Sequence, residues 1–414
     1  MRWALVLLLL LLPTAAAHHP GSTLGLARFG NPADVQNLVH NVVTVDLQFD
    51  EWAAEHPGLV ERFSLGATEG GLPIHGLVLT DEDAVPDWSH EGKLKVYLDG
   101  SHHGNEYLST ELLMYHIEAL LDRSAEPDVA QLLAHMEIHV VPILNADGNL
   151  RDTRVNFNGF DPNRNYALGH APCMVPGLTC GGPEPFSEDE ISANAAYVTD
   201  LSPDLWISAH TGVALLYYNA GEPYVPAAPD HGLFLAMEPL FEAATNGIID
   251  MTGGPAPAVG SADDWGYSVV GTPTFTYEVH EDQFLPVYGE PIPQVLEDQL
   301  NGMRWLIDNT HRLGAWVDLD GRALRNDGLG NATDLRITWD GGSLEVAHLA
   351  PGETVALPAD AAGEVAWSYD VLHVETSRER HHAAPMVAAS VEDEASPWPV
   401  GLLVAALLLA ARRA

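Results

Sequence analysis

The sequence predicts an α/β fold, a sheet covered by helices, with a small all-β unit appended. Three observations carry this expectation. Strand-like and helix-like patterns alternate over residues 27–313. Beyond Leu313 only short strand-like segments remain, broken by Gly, Asn and Pro turns. Finally, 46% of the 414 residues are hydrophobic, enough for one large core plus a smaller module.

In chain order, residues 1–17 read as a secretory signal peptide. Arg2 supplies the positive start, residues 4–12 the apolar stretch, and Ala15, Ala16 and Ala17 the small-residue cleavage site. Residues 93–97, 137–142 and 205–208 are short apolar runs suited to buried strands. Residues 110–123 have helical spacing, with Leu112, Leu113, Ile117, Leu120 and Leu121 apolar. Ser187 and Glu190 read as a capping box that opens a helix running through Ala195 towards Asp200. Residues 294–311 read as the closing helix of the large unit. In the appended unit, 314–385, the strand-like stretches 334–339, 343–348 and 364–374 fit a small β-sandwich.

A polar linker, 386–399, leads to an apolar tail, 400–414. Its apolar run is shorter than the ~20 residues a membrane span needs, and it ends in Arg412 and Arg413. Spacer, apolar segment and basic pair resemble prokaryotic C-terminal sorting signals, which a membrane transpeptidase removes. A buried terminal helix is the alternative. The chain is therefore expected outside the cell or on its surface, with membrane attachment through the tail.

Acidic residues outnumber Lys and Arg by 58 to 18, and the formal charge is -40. Nucleic acid and anionic membrane surfaces are poor partners for such a chain, and no nucleic-acid partner is expected. Two readings of the acidity stay open, an ordinary acidic secreted protein or adaptation to concentrated salt, where a Debye length of ~3 Å screens self-repulsion. Cys173 and Cys180 flank a short loop on an exported chain, so a disulfide between them is expected. Two thiolates with no nearby His or Cys do not complete a tetrahedral metal site.

Chemistry begins at His103 and Glu106, an HxxE pair where an apolar strand hands over to a helix. An imidazole and a carboxylate three residues apart lie on one face of a helical turn and can reach a single zinc ion. Such a pair alone is weak, because many simply face solvent. His210 ends the buried strand at 205–208, and strand ends of an α/β sheet are where sites are built. Taken alone it reads as a satisfied core histidine; taken with the pair it is the third ligand. Two histidines and one carboxylate leave a fourth position open, as in catalytic rather than structural zinc sites.

Between these ligands lie Arg154, Asp161, Asn163 and Arg164, in a loop bearing Gly and Pro. Guanidinium groups offer a fixed fork of donors for a carboxylate or a developing oxyanion, although pairing with surface acids is the plainer reading. Further on, Glu278 interrupts the apolar run Thr274-Phe-Thr-Tyr-Glu-Val. A buried acid there suits a general base, whereas on a strand's solvent face it would be inert.

In order, type and approximate spacing these residues resemble the secreted zinc carboxypeptidases, the funnelins. Glu55-His-Pro-Gly-Leu-Val, Leu65-Gly-Ala-Thr-Glu-Gly-Gly-Leu-Pro-Ile and the Pro-Phe-Ser-Glu stretch within 182–190 are similar to that family too. The resemblance implies a mixed eight-stranded sheet with flanking helices and one Zn2+ per chain. It implies His103, Glu106 and His210 as zinc ligands, Glu278 as general base and Arg154 as oxyanion clamp. Asn163 and Arg164 would hold the substrate's terminal carboxylate, Asp161 would orient His103, and His102 would be a bystander. Peptides or proteins would be the substrates.

Two departures stand out. The tyrosine that closes over the substrate in digestive members would fall near Ala256, so Tyr217, Tyr218 or Tyr267 substitutes or the grip is weaker. Asn105 replaces the arginine inside HxxE, which weakens contacts further from the scissile bond. Asp263 falls where some members place an acid for a C-terminal Lys or Arg; a turn or capping Asp beside Asp264 is the alternative. The rival functions are a related zinc amidase acting on cell-wall peptides or acylated amino acids, and a non-catalytic surface binding protein.

Overall fold

A computed structural model describes residues 39–219, 229–253, 260–280, 296–374 and 376–386. The expected signal peptide, the linker beyond Met386 and the tail lie outside the described residues, as does the position near Ala256. Among the described residues, no helix is long and apolar enough to cross a membrane.

The large unit opens with helix α1 (Val42–Glu55), held at its start by a capping box between Asn41 and Thr44. Strands β1 (Val60–Ala67), β2 (Pro73–Leu79) and β3 (Leu94–Gly100) follow, then helices α2 (Tyr107–Asp122) and α3 (Pro127–His135). Next come β4 (Met136–Val141), α4 (Ala146–Arg151), α5 (Asp189–Leu201), β5 (Leu205–His210) and β6 (Ala214–Tyr218). Helix α6 (His231–Ala244), β7 (Asp250–Gly253), the short α7 (Ala262–Trp265) and β8 (Thr274–Val279) lead to the last helix, α8 (Glu297–Asp308).

The eight strands form one mixed sheet in the order β1-β2-β4-β3-β5-β8-β6-β7. Its centre is parallel, β4 with β3, β3 with β5 and β5 with β8, while β6 runs antiparallel to β8. Central parallel strands are covered on both faces and need near-continuous apolar sequence. That is why β5 is buried at all six positions and β3 at all but Lys95. On one face α2 supplies Leu108, Leu112 and Ile117; on the other, Tyr97, Tyr166, Trp206 and Trp265 pack with Ile191 and Val198 of α5.

The strand and helix expectations differ from the structure chiefly at their ends. β5 continues to His210, and α2 starts at Tyr107. The capping box at Ser187 and Glu190 does not form. Helix α5 begins after Glu188 with no side-chain cap, because Ser187 Oγ donates to Glu188 and Asn156 Nδ2 donates to both Glu188 and Glu190.

The C-terminal region holds two antiparallel sheets. One is β13 (Thr354–Ala356), β10 (Ala323–Asn326) and β9 (Val317–Asp320); the other is β12 (Gly342–Leu349), β11 (Ala332–Trp339), β14 (Glu364–Asp370) and β15 (Glu379–Pro385). Alternation along β14 buries Val365, Trp367 and Tyr369. Trp367 Nε1 donates to the Val317 carbonyl at 2.7 Å and so ties the sheets together. The stretch expected as one strand, 364–374, instead ends at Asp370, where the chain turns back with Leu372 N donating to Ser377 Oγ.

Two buried acids fasten this region to the large unit. Asp204 Oδ1 lies 2.9 Å from Arg380 and 3.1 Å from Arg378. The Asp230 carboxylate accepts from the His373 backbone N–H, lies 2.7 Å from His373 Nδ1, and accepts from the Tyr267 hydroxyl at 2.8 Å. Tyr267 sits in a π-helical turn, Gly266–Val270, that directly follows α7.

Candidate active site

The carboxyl ends of β3, β5 and β8 lie side by side, and the chain leaves each of them carrying a polar group. After β3 the backbone turns through Ser101, at a left-handed φ of 55°, and delivers His103; Glu106 occupies the N-cap position of α2. His210 is the last residue of β5 and pairs in register with Glu278 of β8.

His103 Nδ1 lies 2.7 Å from Glu106 Oε1, and His210 Nδ1 lies 2.9 Å from Glu106 Oε2. The two Nδ1 atoms approach to 3.3 Å. All three side chains are buried. The separation of the two nitrogens equals the edge of a tetrahedron with bonds of ~2.0 Å, about 3.3 Å, while the carboxylate oxygens lie a few tenths of an ångström nearer, at hydrogen-bond distance. His103, Glu106 and His210 are thus a group able to hold a zinc ion, and among the described residues no other cluster of three such side chains has this property.

The outer nitrogens are fixed as well. His103 Nε2 faces Asp161 Oδ1 at 3.1 Å, while His210 Nε2 lies 3.2 Å from Ser208 Oγ and 3.3 Å from Asn163 Nδ2. Burial opposes charge on His103 and on Asp161. Their mutual attraction, with Glu106 and Arg154, overrides it, so the His103 pKa is raised and the Asp161 carboxyl is held well below the usual range. In His210 burial prevails and lowers the pKa, in the direction of the neutral imidazole that binds metal.

Arg154 binds Asp161 Oδ2 through Nε and Nη2, at 3.1 and 2.8 Å, and leaves Nη1 aimed at the ligand group, 3.1 Å from His103 Nδ1. Asn163 and Arg164 come from a short 3₁₀ turn, Pro162–Arg164. Asn163 Oδ1 accepts from Ala262 N at 2.8 Å, linking that turn to α7. Glu278 Oε2 is shut off from solvent and has no hydrogen-bond partner among the described residues. Burial, reinforced by the negative charge of Glu106, pushes its pKa up to about 8.

His103, Glu106, His210, Arg154, Asn163, Arg164 and Glu278 line one cavity of about 360 Å³, together with Ser261, Asp263, Thr276 and Tyr217. Every proposed ligand, base and substrate contact is brought to it, with Asp161 directly behind His103. Of the tyrosines considered as substitutes, Tyr217 lines the cavity, whereas Tyr218 bonds Glu238 and Tyr267 bonds Asp230. Cys173 and Cys180 are joined in a disulfide, and Leu178 within its loop accepts from Arg154 Nε at 3.2 Å.

Two residues have parts that were not evident in the sequence. The ring of His102 stacks on His210, with centroids 5.3 Å apart, and its Nε2 faces the Tyr166 hydroxyl at 2.8 Å. Burial holds its pKa far down, so the stacked ring is neutral. Thr211 N donates to Glu106 Oε2 at 3.2 Å. The adjacency of His102 to His103 was the only signal of the first, and nothing local signalled the second.

Comparison with known proteins shows the family and the fold. The Peptidase_M14 family, described as zinc carboxypeptidase, matches residues 48–302. Human carboxypeptidase B is 25% identical over 265 residues, covering 58% of this chain and 62% of that protein. Zinc carboxypeptidase A 1 of Anopheles gambiae is 27% identical over 279 residues, covering 59% of this chain and 61% of that one. The chain thus spans about three fifths of the length of these relatives. The crystal structure of the carboxypeptidase A from Helicoverpa armigera superposes with a TM-score of 0.55 at 20% identity, over 66% of this chain and 73% of that one, which shows a shared fold.

Proposed function

Because the chain belongs to the zinc carboxypeptidase family, we propose that it is an exported metallocarboxypeptidase that releases C-terminal residues from peptides or proteins. The observation that carries this reading is the meeting of His103, Glu106 and His210 at the wall of a cavity that also holds Glu278 and Arg154.

A bound Zn2+ would polarise the scissile carbonyl and lower the pKa of the attacking water. The protein's own groups do the rest. Glu278, with no hydrogen-bond partner among the described residues for its Oε2, accepts the proton of the attacking water and passes it to the departing amine. Arg154, steadied by Asp161, holds Nη1 where negative charge grows on the carbonyl oxygen. Removing one donor of this kind typically costs about 3 kcal/mol of transition-state stabilisation. Asn163 and Arg164 grip the terminal carboxylate and set the scissile bond in register. Asp263, a buried carboxylate at the cavity wall, receives a basic side chain of the departing residue. Export by residues 1–17 and surface attachment through residues 400–414 belong to the same proposal.

Metal analysis of the mature protein combined with profiling of peptide ends tests it. One zinc per chain and stepwise loss of single C-terminal residues is the expected result. Release of an acyl group or a whole cross-linking peptide would instead assign the site to an amidase, and no hydrolysis by zinc-loaded protein would sink the enzymatic reading.

A further inference from the structure

Tyr217 is partly exposed between Leu216 and Tyr218, which are both buried, so its face of β6 is the one open to the cavity. In the antiparallel register with β8 it stands directly opposite Thr276, and Leu215 stands opposite Glu278. Directly opposed residues project to the same side of a sheet, and positions two apart along a strand share that side. The Tyr217 ring therefore stands beside Thr276, one pleat from Glu278. Its hydroxyl meets no partner among the described residues, unlike those of Tyr218 and Tyr267.

Asp263 borders the same cavity from α7. It is only 6% exposed, and among the described residues no cation lies within ion-pair distance of it. A carboxylate this buried is costly to leave unpaired, so a cation supplied by the bound molecule fits it. Asp263 by itself would attract an ammonium or a guanidinium alike. An aromatic face in the same cavity separates them, because the guanidinium is planar, weakly hydrated and stacks on rings, whereas the ammonium is a compact, strongly hydrated point charge.

Resting on the carboxypeptidase reading, we propose that Tyr217 is a specificity-determining residue that, together with Asp263, selects a departing residue bearing a guanidinium, favouring C-terminal Arg over C-terminal Lys. The ring carries the selection and the hydroxyl is secondary.

The test uses the zinc-loaded full chain and three peptides that differ only in a C-terminal Arg, Lys or Leu. For the wild type, kcat/KM is expected to be greatest for Arg, with an Arg-to-Lys ratio of roughly three to ten, the share of a cation–aromatic contact that the flat, weakly hydrated guanidinium gains over an ammonium on the same ring. Tyr217→Leu should bring that ratio to about one, and Tyr217→Phe should keep most of it. A ratio unmoved by Tyr217→Leu, or an equal loss in Tyr217→Phe, would overturn the role given to the ring. A wild-type preference for Leu over both basic ends would overturn the pairing with Asp263. Failure to cleave any of the three peptides would instead remove the carboxypeptidase reading on which the inference rests.

Discussion

His210 and Glu278 are partners in register on neighbouring parallel strands, β5 and β8, so a proposed metal ligand and a proposed base emerge from the sheet side by side. Adjacent in-register side chains on the same face are held by backbone hydrogen bonds rather than by a mobile loop. Their separation is a property of the sheet.

That rigidity separates the two roles experimentally. Glu278→Gln retains size and shape but not basicity, so kcat should fall by ~10²–10⁴-fold, the usual range for a lost general base. Zinc content should stay at the wild-type level, since Glu278 is not one of the three clustered ligands. Loss of zinc in this variant, measured by elemental analysis, would contradict the separation.

Asp161 serves two neighbours, His103 Nε2 and the Arg154 guanidinium. Asp161→Asn keeps one acceptor and removes the charge that raises the basicity of His103. Zinc affinity is expected to weaken by ~10–100-fold, read by competition with a chelator, and turnover to fall even at saturating zinc because Arg154 loses its anchor.

Gly104 lies between the two HxxE ligands. A Cβ at that position would sit 2.0 Å from the backbone carbon of Gly148 in α4. Backbone cannot swing aside like a side-chain tip, so Gly104→Ala must push the turn away from α4. A loss of about 1–3 kcal/mol in stability is expected, with lower zinc occupancy, measured by denaturant melts and metal analysis.

Acid stability provides a test remote from the metal. Burial alone would raise the pKa of Asp204, but Arg378 and Arg380 hold it below the ordinary carboxylate value. A depressed folded pKa means stability that is present above the unfolded value of ~3.9 and is lost as pH falls through the folded one. The difference in melting temperature between wild type and Asp204→Asn should therefore be constant above about pH 5 and shrink below about pH 4. A gap that persists unchanged at pH 3 would show that the charge on Asp204 is not what holds the two regions.

Much of this was readable in the chain because the signals are local. His103 and Glu106 are three positions apart; His210 and Glu278 are polar residues in otherwise apolar runs, and the parallel centre of the sheet announces itself by buried strands such as 205–210. The choice among three tyrosines was not readable, because it is made by the pairing of β6 with β8. Nor was the failed capping box: Ser187 and Glu190 are a proper local pair, but Asn156, more than thirty positions upstream, draws both Glu188 and Glu190 towards itself. His102, which resembles a spare neighbour of His103, is stacked on a ring more than a hundred positions away.

The Asp230 carboxylate, shared by His373 of the C-terminal region and Tyr267 of the turn behind Asp263, makes the β appendage a structural dependency of the pocket wall. A chain shortened at its apparent domain boundary would leave a buried anion with one partner fewer, and the loosened wall would belong to the part thought to be independent. Exchange of such modules between enzymes thus has a constraint: a replacement must carry its own histidine to the same acid.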